Sequence, residues 1–552
     1  MDDFTKRWAI GLLVILLTIG IFFRIINLGQ KPVWGGEAQT LSMISGYSDG
    51  EVIDKISTPA LTNKIVSVES FLKYRFPNDD NNLRRIIHKL YTENHPPLYF
   101  VLAHAWVKLF GSSVTTLRSL AAVLSWLAVP CIYWLCLELF GIPVIGLMAS
   151  ASLSVSPIQV IYAHEAGSFS LLSLIVLLSS AALLWALRTQ QKLAWAIYGI
   201  SLGLGLYCQY YFVFTLFGQI AYVLSIEPLR TRKLANFSLV VLIASLSFLP
   251  WTITVFNHLA SFQDLTSLKE QNHLTLLGTI AFWAENISLS FVDLVDPKAS
   301  EYGGFGKFGF YFFTPLILSL VGYSIYLLRA KTPKQVYLCI FFSIGSTAVP
   351  LIIFDLFAGQ NQEIWPENLC PIFPFFQICV AYLLSTKGLL LDSVDRSWYR
   401  KYWLPIAAIL ITEGVVFCGI YLQADTWWNK YGGEDILSFT QIVRQAPDLP
   451  ILVNRQHPES LVIYNLQPQV KLVFVDAPQL NHLNVTEFAT LDTIFFLNPD
   501  LEMQAELKRQ HYQLRLLAQY PNLDRVYDGL TPPQLWKLRK FTSIPMDDLN
   551  LK

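Results

Sequence analysis

The chain has 552 residues, 53% of them hydrophobic and only 14% charged, and its mean hydropathy is positive. Its 40 basic and 40 acidic side chains cancel, and the basic ones fall in short clusters between apolar runs, so no nucleic-acid surface is indicated. This composition excludes an ordinary soluble domain and predicts an α-helical polytopic membrane protein.

Runs of about 20 mostly apolar residues recur along most of the chain, and this is the length that crosses a hydrocarbon core. We expect about eleven spans, at residues 8–28, 115–138, 142–162, 168–187, 193–209, 211–226, 234–255, 309–328, 335–355, 369–386 and 403–422. The apolar stretch 97–110 is short for a span, and we interpret it as a partial or interfacial helix.

Lysine and arginine cluster at intervals between these spans, and the positive-inside rule assigns such clusters to the cytoplasm. The clusters are Lys6–Arg7, Arg188 with Lys192, Arg230–Lys233, Arg329–Lys334 and Lys387–Lys401. The N-terminus is then cytoplasmic, and loops 29–95, 256–308 and 356–368 lie outside with the C-terminal tail. The simplest location is a bacterial inner (plasma) membrane, with the outer face toward the periplasm.

The composition changes after Leu422, and this divides the chain into two predicted domains. Residues 1–424 form a transmembrane domain that carries the external loop 29–95. Residues 425–552 form a small extramembrane α/β domain, with a helix over Glu434–Ala446 and short β-rich runs at 451–453, 472–475 and 493–497. This domain contains no glycine-rich phosphate loop, so a lid or docking role without catalysis is expected.

Three polar features stand at the predicted outer ends of spans, where ionisable groups are costly unless they are used. Glu37 follows Trp34-Gly35-Gly36, and it is either a catalytic base or an ordinary loop acid. His95-Pro96-Pro97 precedes an apolar helix, and it is either a functional corner or only a rigid helix start. His164 and Glu165 end the third span, where a functional role is favoured.

In this order, the motifs resemble the family 39 membrane glycosyltransferases, which include protein mannosyltransferases and bacterial aminoarabinose and lipopolysaccharide-core sugar transferases. The most specific match is the run from His95 to Phe100, and the resemblance covers roughly residues 5–385. The segments Gly111–Arg118, Tyr162–Ala166 and, more weakly, Gly205–Tyr211 agree with it. The resemblance implies the type C glycosyltransferase fold.

The resemblance also implies a reaction at the outer membrane surface. A polyprenyl-phosphate-linked sugar would be the donor, and an inverting displacement would pass the sugar to a hydroxyl of a glycan, lipid or protein. This reaction needs a carboxylate to take the acceptor proton, cations to stabilise the departing phosphate and a lipid groove between helices.

The resemblance assigns roles to individual residues. Glu37 or Glu165 would be the catalytic base, and His164 would act near the phosphate. Substrate contacts are expected from His95, Pro96, Pro97, Tyr99, Arg118, Gln209, Tyr210 and Lys307. No cofactor is certain; a divalent cation is the one candidate, although a single acid beside Gly36 makes a poor site for it.

The chain departs from the family at three charged positions. The usual aspartate before Glu37 is Gly36, the usual arginine after Ala166 is Gly167, and the usual Arg-Tyr pair before a late span aligns with Glu367-Asn368. Each lost charge-assisted contact costs about 1.5–3 kcal/mol. A non-catalytic relative that binds a polyprenyl-linked glycan or a partner protein is therefore the alternative interpretation.

Overall fold

The computed structural model describes residues 3–56, 65–77, 83–93, 95–267, 276–293, 305–358, 366–389, 396–427, 433–477, 480, 493–519 and 533–540. The chain divides into two compact units. The membrane unit comprises Met1–Lys31 and Leu90–Asp425, and the sheet unit comprises Pro32–Lys89 and Thr426–Lys552.

The described part of the membrane unit is built from helices, because a helix satisfies its own backbone hydrogen bonds in an apolar environment. Its helices are α1 (Asp3–Ile25), α6 (Leu98–Phe110), α7 (Val114–Phe140), α8 (Pro143–Ser154), α9 (Pro157–Ala163), α10 (Phe169–Thr189), α11 (Lys192–Cys208), α12 (Phe212–Ile226), α13 (Arg232–Ser267), α14 (Leu276–Ser288), α15 (Phe305–Lys331), α16 (Lys334–Ala358), α17 (Phe373–Leu384) and α18 (Arg396–Gln423). A 3₁₀ helix, Pro366–Leu369, precedes α17, and a π-helix, Ser385–Leu389, follows it.

Six helices in the described ranges are long and apolar enough to cross a membrane, and they lie in α7, α10, α13, α15, α16 and α18. Shorter apolar helices are Val14–Ile25 within α1, α6, α11 and α12. The chain is therefore a multi-pass membrane protein. The number of about eleven spans, and the interfacial placement of 97–110, stay predictions.

The segment 142–162, predicted as a span, is bent, and its crossing of the membrane stays a prediction. Two helices, α8 and α9, occupy this stretch, and the chain bends between them by 58°. The break falls at Val155 and Ser156, immediately before Pro157, which occupies the first turn of α9. Proline lacks a backbone N–H and its ring obstructs the preceding turn, so an apolar run can end one helix and begin another here.

The sheet unit contains a sheet of six strands within the described residues. The strands are β1 (Val66–Ser67), β2 (Ile451–Asn454), β3 (Lys471–Val475), β4 (Thr493–Leu497), β5 (Tyr512–Gln519) and β6 (Gln534–Lys540), in the order β1-β3-β2-β4-β6-β5. The central strands β3, β2 and β4 are parallel, and the outer strands pair antiparallel. Helices of this unit are α2 (Gly35–Ser45), α3 (Asp49–Ile56), α4 (Val68–Lys73), α19 (Gly433–Arg444), α20 (Ser460–Tyr464) and α21 (Leu501–Arg509); α5 (Leu83–Thr92) crosses the boundary.

The division of the chain differs from the predicted domains. Residues Pro32–Lys89, predicted as a loop of the transmembrane domain, share a compact unit with Thr426–Lys552. The direct reason is a strand pairing, in which Val66 of β1 lies opposite Leu472 of β3. Leu452, Val473 and Phe496 lie in the fully buried core of the central sheet.

Candidate functional site

Three buried polar residues of the membrane unit lie at the C-terminal end of α9. This seven-residue helix ends at Ala163, and His164 is its C-cap. Tyr162, His164 and Glu165 are all buried there, at 3%, 2% and 1% exposure. Buried ionisable side chains at the end of an apolar helix are costly, so this cluster is the strongest candidate for a functional site in the unit.

His164 is held as a neutral imidazole. Its Nε2 lies 2.7 Å from the carbonyl oxygen of Phe23, and because a carbonyl only accepts, Nε2 carries the proton. The ring also meets the edge of Tyr421 at 5.6 Å. Burial, with nearby charges that include Lys31 and Arg118, lowers the pKa of His164 to about 4. The geometry therefore favours an anchoring role for His164 over the predicted role of a cation beside the phosphate.

The neutral state of His164 predicts a pH dependence of stability. In the unfolded chain a histidine takes up a proton near pH 6.5, whereas folded His164 does so only near pH 4. The unfolded state thus binds more protons between these values, and stability falls as the pH is lowered from 6.5 to 4, by at most about 3 kcal/mol. Thermal unfolding in detergent should show a steeper loss over this window for the wild type than for His164→Gln. Equal pH dependence in both proteins would contradict the assignment.

Glu165 lies in a tight turn between α9 and α10. The N–H of Gly167 donates to the Glu165 carbonyl at 2.8 Å. A Cβ atom at Gly167 would lie 3.1 Å from the Phe169 ring and 3.4 Å from Glu165 Oε1. The Phe169 ring, which packs on Tyr162 at 5.2 Å, therefore occupies the space next to the position where the family usually carries an arginine.

Tyr162 connects this turn to the 3₁₀ helix Pro366–Leu369. Its hydroxyl donates to Glu367 Oε2 at 3.3 Å, and it also interacts electrostatically with Glu165. Glu367 was aligned with an arginine of the family, but in this chain it accepts a hydrogen bond from a buried tyrosine. The Tyr162 hydroxyl thus bonds to one acid, Glu367, and lies within electrostatic range of a second, Glu165.

Arg118 and Lys31 place two cations close to the same region. Arg118, 1% exposed in α7, donates through Nη1 to the carbonyls of Leu28 at 2.7 Å and Lys31 at 3.0 Å. The Lys31 ammonium donates to the carbonyls of Tyr421 at 2.6 Å and Ala424 at 2.9 Å, and lies 4.1 Å from the Tyr421 ring centre. Burial, and then the charge of Arg118, lower the pKa of Lys31 to about 8. The two charges thus lie near enough to repel each other.

The His95-Pro96-Pro97 corner begins α6. The His95 N–H donates to the Leu90 carbonyl at 2.9 Å, and its ring meets Phe100 at 5.8 Å. Pro97 is the N-cap of α6, and Tyr99 in its first turn is fully buried. The corner therefore starts a helix, as the structural interpretation expects, and its contact with substrate stays a prediction.

Gln209 and Tyr210 form the turn between α11 and α12. Gln209 ends α11 with an extended backbone, and its carbonyl accepts from Phe212 N at 3.1 Å. Near the end of α11, the Tyr207 ring lies 6.4 Å from the Trp251 ring, and the ring of Tyr91 lies 6.2 Å from the same Trp251 ring. This aromatic cluster links the chain just before His95 to α11 and α13.

The remaining predicted site residues are Glu37 and Lys307. Glu37 is 1% exposed and lies in the first turn of α2, in the sheet unit. Lys307 lies in the first turn of α15, and its contact with a phosphate stays a prediction. Within the described ranges, no group of three or more His, Cys, Asp and Glu side chains is placed to hold a metal ion, so the divalent cation also stays a prediction.

The sequence of the central region matches a known family. Residues 94–254 match the family model of the dolichyl-phosphate-mannose-protein mannosyltransferases. The matched segment contains His95, Arg118, His164, Glu165 and Tyr210, and it is less than half of the chain. No curated protein sequence matches the chain significantly.

The backbone matches two crystal structures of ArnT from Cupriavidus metallidurans, one in the apo state and one bound to undecaprenyl phosphate. Their TM-scores are 0.54 and 0.51, each at 12% sequence identity and covering 96% of this chain and 98% of ArnT. The fold is that of the type C membrane glycosyltransferases. The resemblance stated from the motifs is thereby confirmed. The apo oligosaccharyltransferase of Archaeoglobus fulgidus is also similar, with a TM-score of 0.48 at 13% identity, covering 94% of this chain and 70% of that one.

Within this type C fold, the sequence interpretation missed two cations. Lys31 follows the first apolar helix, and Arg24 lies inside its last turn. Both are buried, at 5% and 1% exposure. Neither residue belongs to a basic cluster of the kind that marks the cytoplasmic side, although the cost of burying such a charge is itself a signal of function.

Proposed function

We propose that the chain is an integral-membrane glycosyltransferase of the inner (plasma) membrane. It moves a sugar from a polyprenyl-phosphate donor to a hydroxyl of a glycan, lipid or protein at the outer face, by inverting displacement. The observation that carries the proposal is the buried carboxylate of Glu165 at the end of α9, in the same unit as the buried cations Arg118 and Lys31. The whole-chain likeness to an enzyme crystallised with undecaprenyl phosphate supports the choice of donor.

Glu165 is the proposed catalytic base. An acceptor hydroxyl is a weak nucleophile, and a positioned carboxylate that removes its proton contributes about 10²–10⁴-fold to such reactions. Tyr162, which interacts with both Glu165 and Glu367, orients this part of the site. His164 anchors the turn through Phe23 and takes no proton in the proposed reaction.

Arg118 and Lys31, with Lys307, are the proposed cations for the departing phosphate. The leaving group is a phosphate that gains negative charge as the anomeric bond breaks, and fixed cations stabilise it most strongly where water is excluded. Arg118 is held rigidly by the Leu28 and Lys31 carbonyls, so its guanidinium is already oriented before substrate binds.

The donor's hydrocarbon tail needs an apolar channel. A small apolar pocket in the membrane unit lies between α8, α17 and α18, and Met148, Leu384 and Ile411 are among its lining residues. Its polar edge is formed by Ser156, whose hydroxyl donates to the Ser290 carbonyl at 2.9 Å. The pocket is too small for a whole polyprenyl chain, so we assign to it only the end of the tail nearest the phosphate, next to the break before α9.

The assignment of the base can be tested against Glu37, the other candidate that the family resemblance implies. Protonation of the base produces the acidic limb of the pH–rate profile. We expect Glu37→Gln to keep this limb, and Glu165→Gln to remove it from whatever activity remains. The measurement is sugar transfer in proteoliposomes over a range of pH. Loss of the limb in Glu37→Gln alone would transfer the role of base to Glu37.

The same assay separates an enzyme from a non-catalytic relative. Wild-type protein with a polyprenyl-phosphate sugar and a mixture of acceptors should release free polyprenyl phosphate. Binding of the donor lipid without any release, across donors and acceptors of several sugar classes, would overturn the enzyme assignment and leave the binding protein in its place.

A further inference from the structure

The short helix α9 is flanked by two contacts from consecutive residues of α1, one with the end of α8 just before it and one with the residue that caps its C-terminus. At its N-terminal side, Arg24 donates through Nη1 to the Ser154 carbonyl at 2.7 Å and through Nη2 to the Leu153 carbonyl at 3.0 Å. Nη1 also donates to the Gly20 carbonyl at 2.9 Å, and Nε to Ser125 Oγ at 2.9 Å. Four of the five guanidinium N–H groups are thus used for structure.

The break before α9 creates the need for this arginine. The end of α8 leaves backbone carbonyls without helical partners, and an unpaired buried carbonyl is strongly unfavourable. Arg24 serves the carbonyls of Leu153 and Ser154, and the Cys418 thiol serves that of Val155 at 3.5 Å. A lysine could not replace Arg24 here, since only the planar guanidinium reaches several fixed acceptors at once.

The break between α8 and α9 is closely packed by α1 on one side and by α18 on the other. A Cβ atom at Gly20 would lie 2.7 Å from Ser154 Cβ, so α1 reaches the end of α8 only because it has a glycine there. On the other side, a Cβ atom at Gly414 would lie 2.5 Å from the Val155 carbonyl oxygen, so α18 makes a similar close approach.

The second support is at the other end of α9, where His164 donates to the Phe23 carbonyl at 2.7 Å. A third contact runs along the helix, since Ser125, which accepts from Arg24, donates to the Gln159 carbonyl at 3.4 Å. A helix of seven residues is only about 10 Å long. The residues just before α9 and the residue that caps its C-terminus are therefore fixed to the same turn of α1.

We propose that Arg24 is a positioning residue for sugar transfer: by fixing the end of α8 just before α9, while the Phe23 carbonyl fixes the C-cap residue of α9, it sets the location of Glu165. This inference rests on the proposed function, in which Glu165 is the base. Arg24 touches neither substrate nor reacting atoms. A shift of about 1 Å in a reacting group can cost about a hundredfold in rate. Loss of the Arg24 contacts should therefore lower the kcat for transfer more than the affinity for the donor.

The test is the substitution Arg24→Lys, which keeps the positive charge but removes the planar guanidinium group that reaches several acceptors at once. Hydrogen–deuterium exchange should rise at least tenfold in the amides of 153–168, whereas the amides of α10 keep their protection. The kcat for sugar transfer should fall about 10- to 100-fold, with the donor KM within about twofold. The matched control is Arg188→Lys, because Arg188 also makes a two-point contact, with Glu138 at 2.8 Å, but is exposed. It should leave exchange in 153–168 and kcat unchanged.

Should Arg24→Lys fail to fold, Ser125→Ala removes the Nε partner and the contact to Gln159 while leaving the arginine in place, and should give the same changes at smaller size. Unchanged hydrogen–deuterium exchange in residues 153–168 would show that Arg24 does not hold this segment in place. Raised exchange with unchanged kcat would overturn the positioning role. Failure of the proposed function is recognised separately, because the wild type would then release no polyprenyl phosphate, or Glu165→Gln would retain transfer, whatever the exchange of 153–168 shows.

Discussion

Replacing Glu165 by glutamine is expected to lower sugar transfer by about 10²–10⁴-fold. Glutamine has nearly the same shape and keeps a carbonyl oxygen, so the buried turn can fold around it, but the amide cannot accept the acceptor proton. Binding of polyprenyl phosphate should persist, because the proposed phosphate cations are untouched. The rate of transfer in proteoliposomes and the retention of labelled lipid measure the two quantities independently.

The control for Glu165→Gln is Glu413→Gln, the same change at a half-buried acid on α18. Transfer by this variant should stay within about twofold of the wild type. Transfer by Glu165→Gln within about tenfold of the wild type would remove Glu165 from the role of base, since a general base that contributes so little is not carrying the proton transfer.

Replacing Arg118 by glutamine is expected to have the second large effect. The change removes the donor to the Leu28 and Lys31 carbonyls, and each buried partner left unpaired costs about 1–3 kcal/mol. It also removes one of the proposed phosphate cations, whose loss typically costs about 10²–10³-fold in rate. We therefore expect both a lower unfolding temperature and a loss of transfer that exceeds what the lost stability explains.

Lys31 provides an internal check on Arg118→Gln. The charge of Arg118 contributes to the lowered pKa of Lys31, so its removal should raise that pKa from about 8 toward the ordinary lysine range. Donor binding that weakens above pH 8 in the wild type should then persist to higher pH in the variant. Arg188→Gln, which breaks an exposed pair, serves as the control. Wild-type transfer by Arg118→Gln would exclude it from the phosphate site.

Local patterns predicted most helices and the central strands. The apolar run 335–355 forms α16 over Lys334–Ala358, and the β-rich run 472–475 forms β3 over Lys471–Val475. These elements are specified by their own residues, through length, apolarity and bounding turns. The break at Val155–Ser156 was missed because hydropathy alone does not distinguish a straight span from a bent one, although Ser156-Pro157 is a local indication.

The contacts that shape the candidate site could not be read from local pattern. Arg24 contacts Ser125 and Ser154, more than a hundred residues away in sequence, and nothing next to Arg24 indicates those partners. The absence of the family's arginine at Gly167 suggested a weakened site. The structure adds a steric observation, because a Cβ atom at Gly167 would lie 3.1 Å from the Phe169 ring, which would have to shift slightly to admit a larger side chain.

The pairing of β1 with β3 has a consequence for biosynthesis. β1 is translated soon after the first apolar helix, but Val66 cannot meet Leu472 until about 400 further residues have been made. Residues 66–67 therefore stay unpaired while the intervening helices are inserted. Unpaired strands on a partly folded chain are prone to pair with wrong partners. Removing residues 426–552 would remove β3 and leave β1 without the strand with which it pairs.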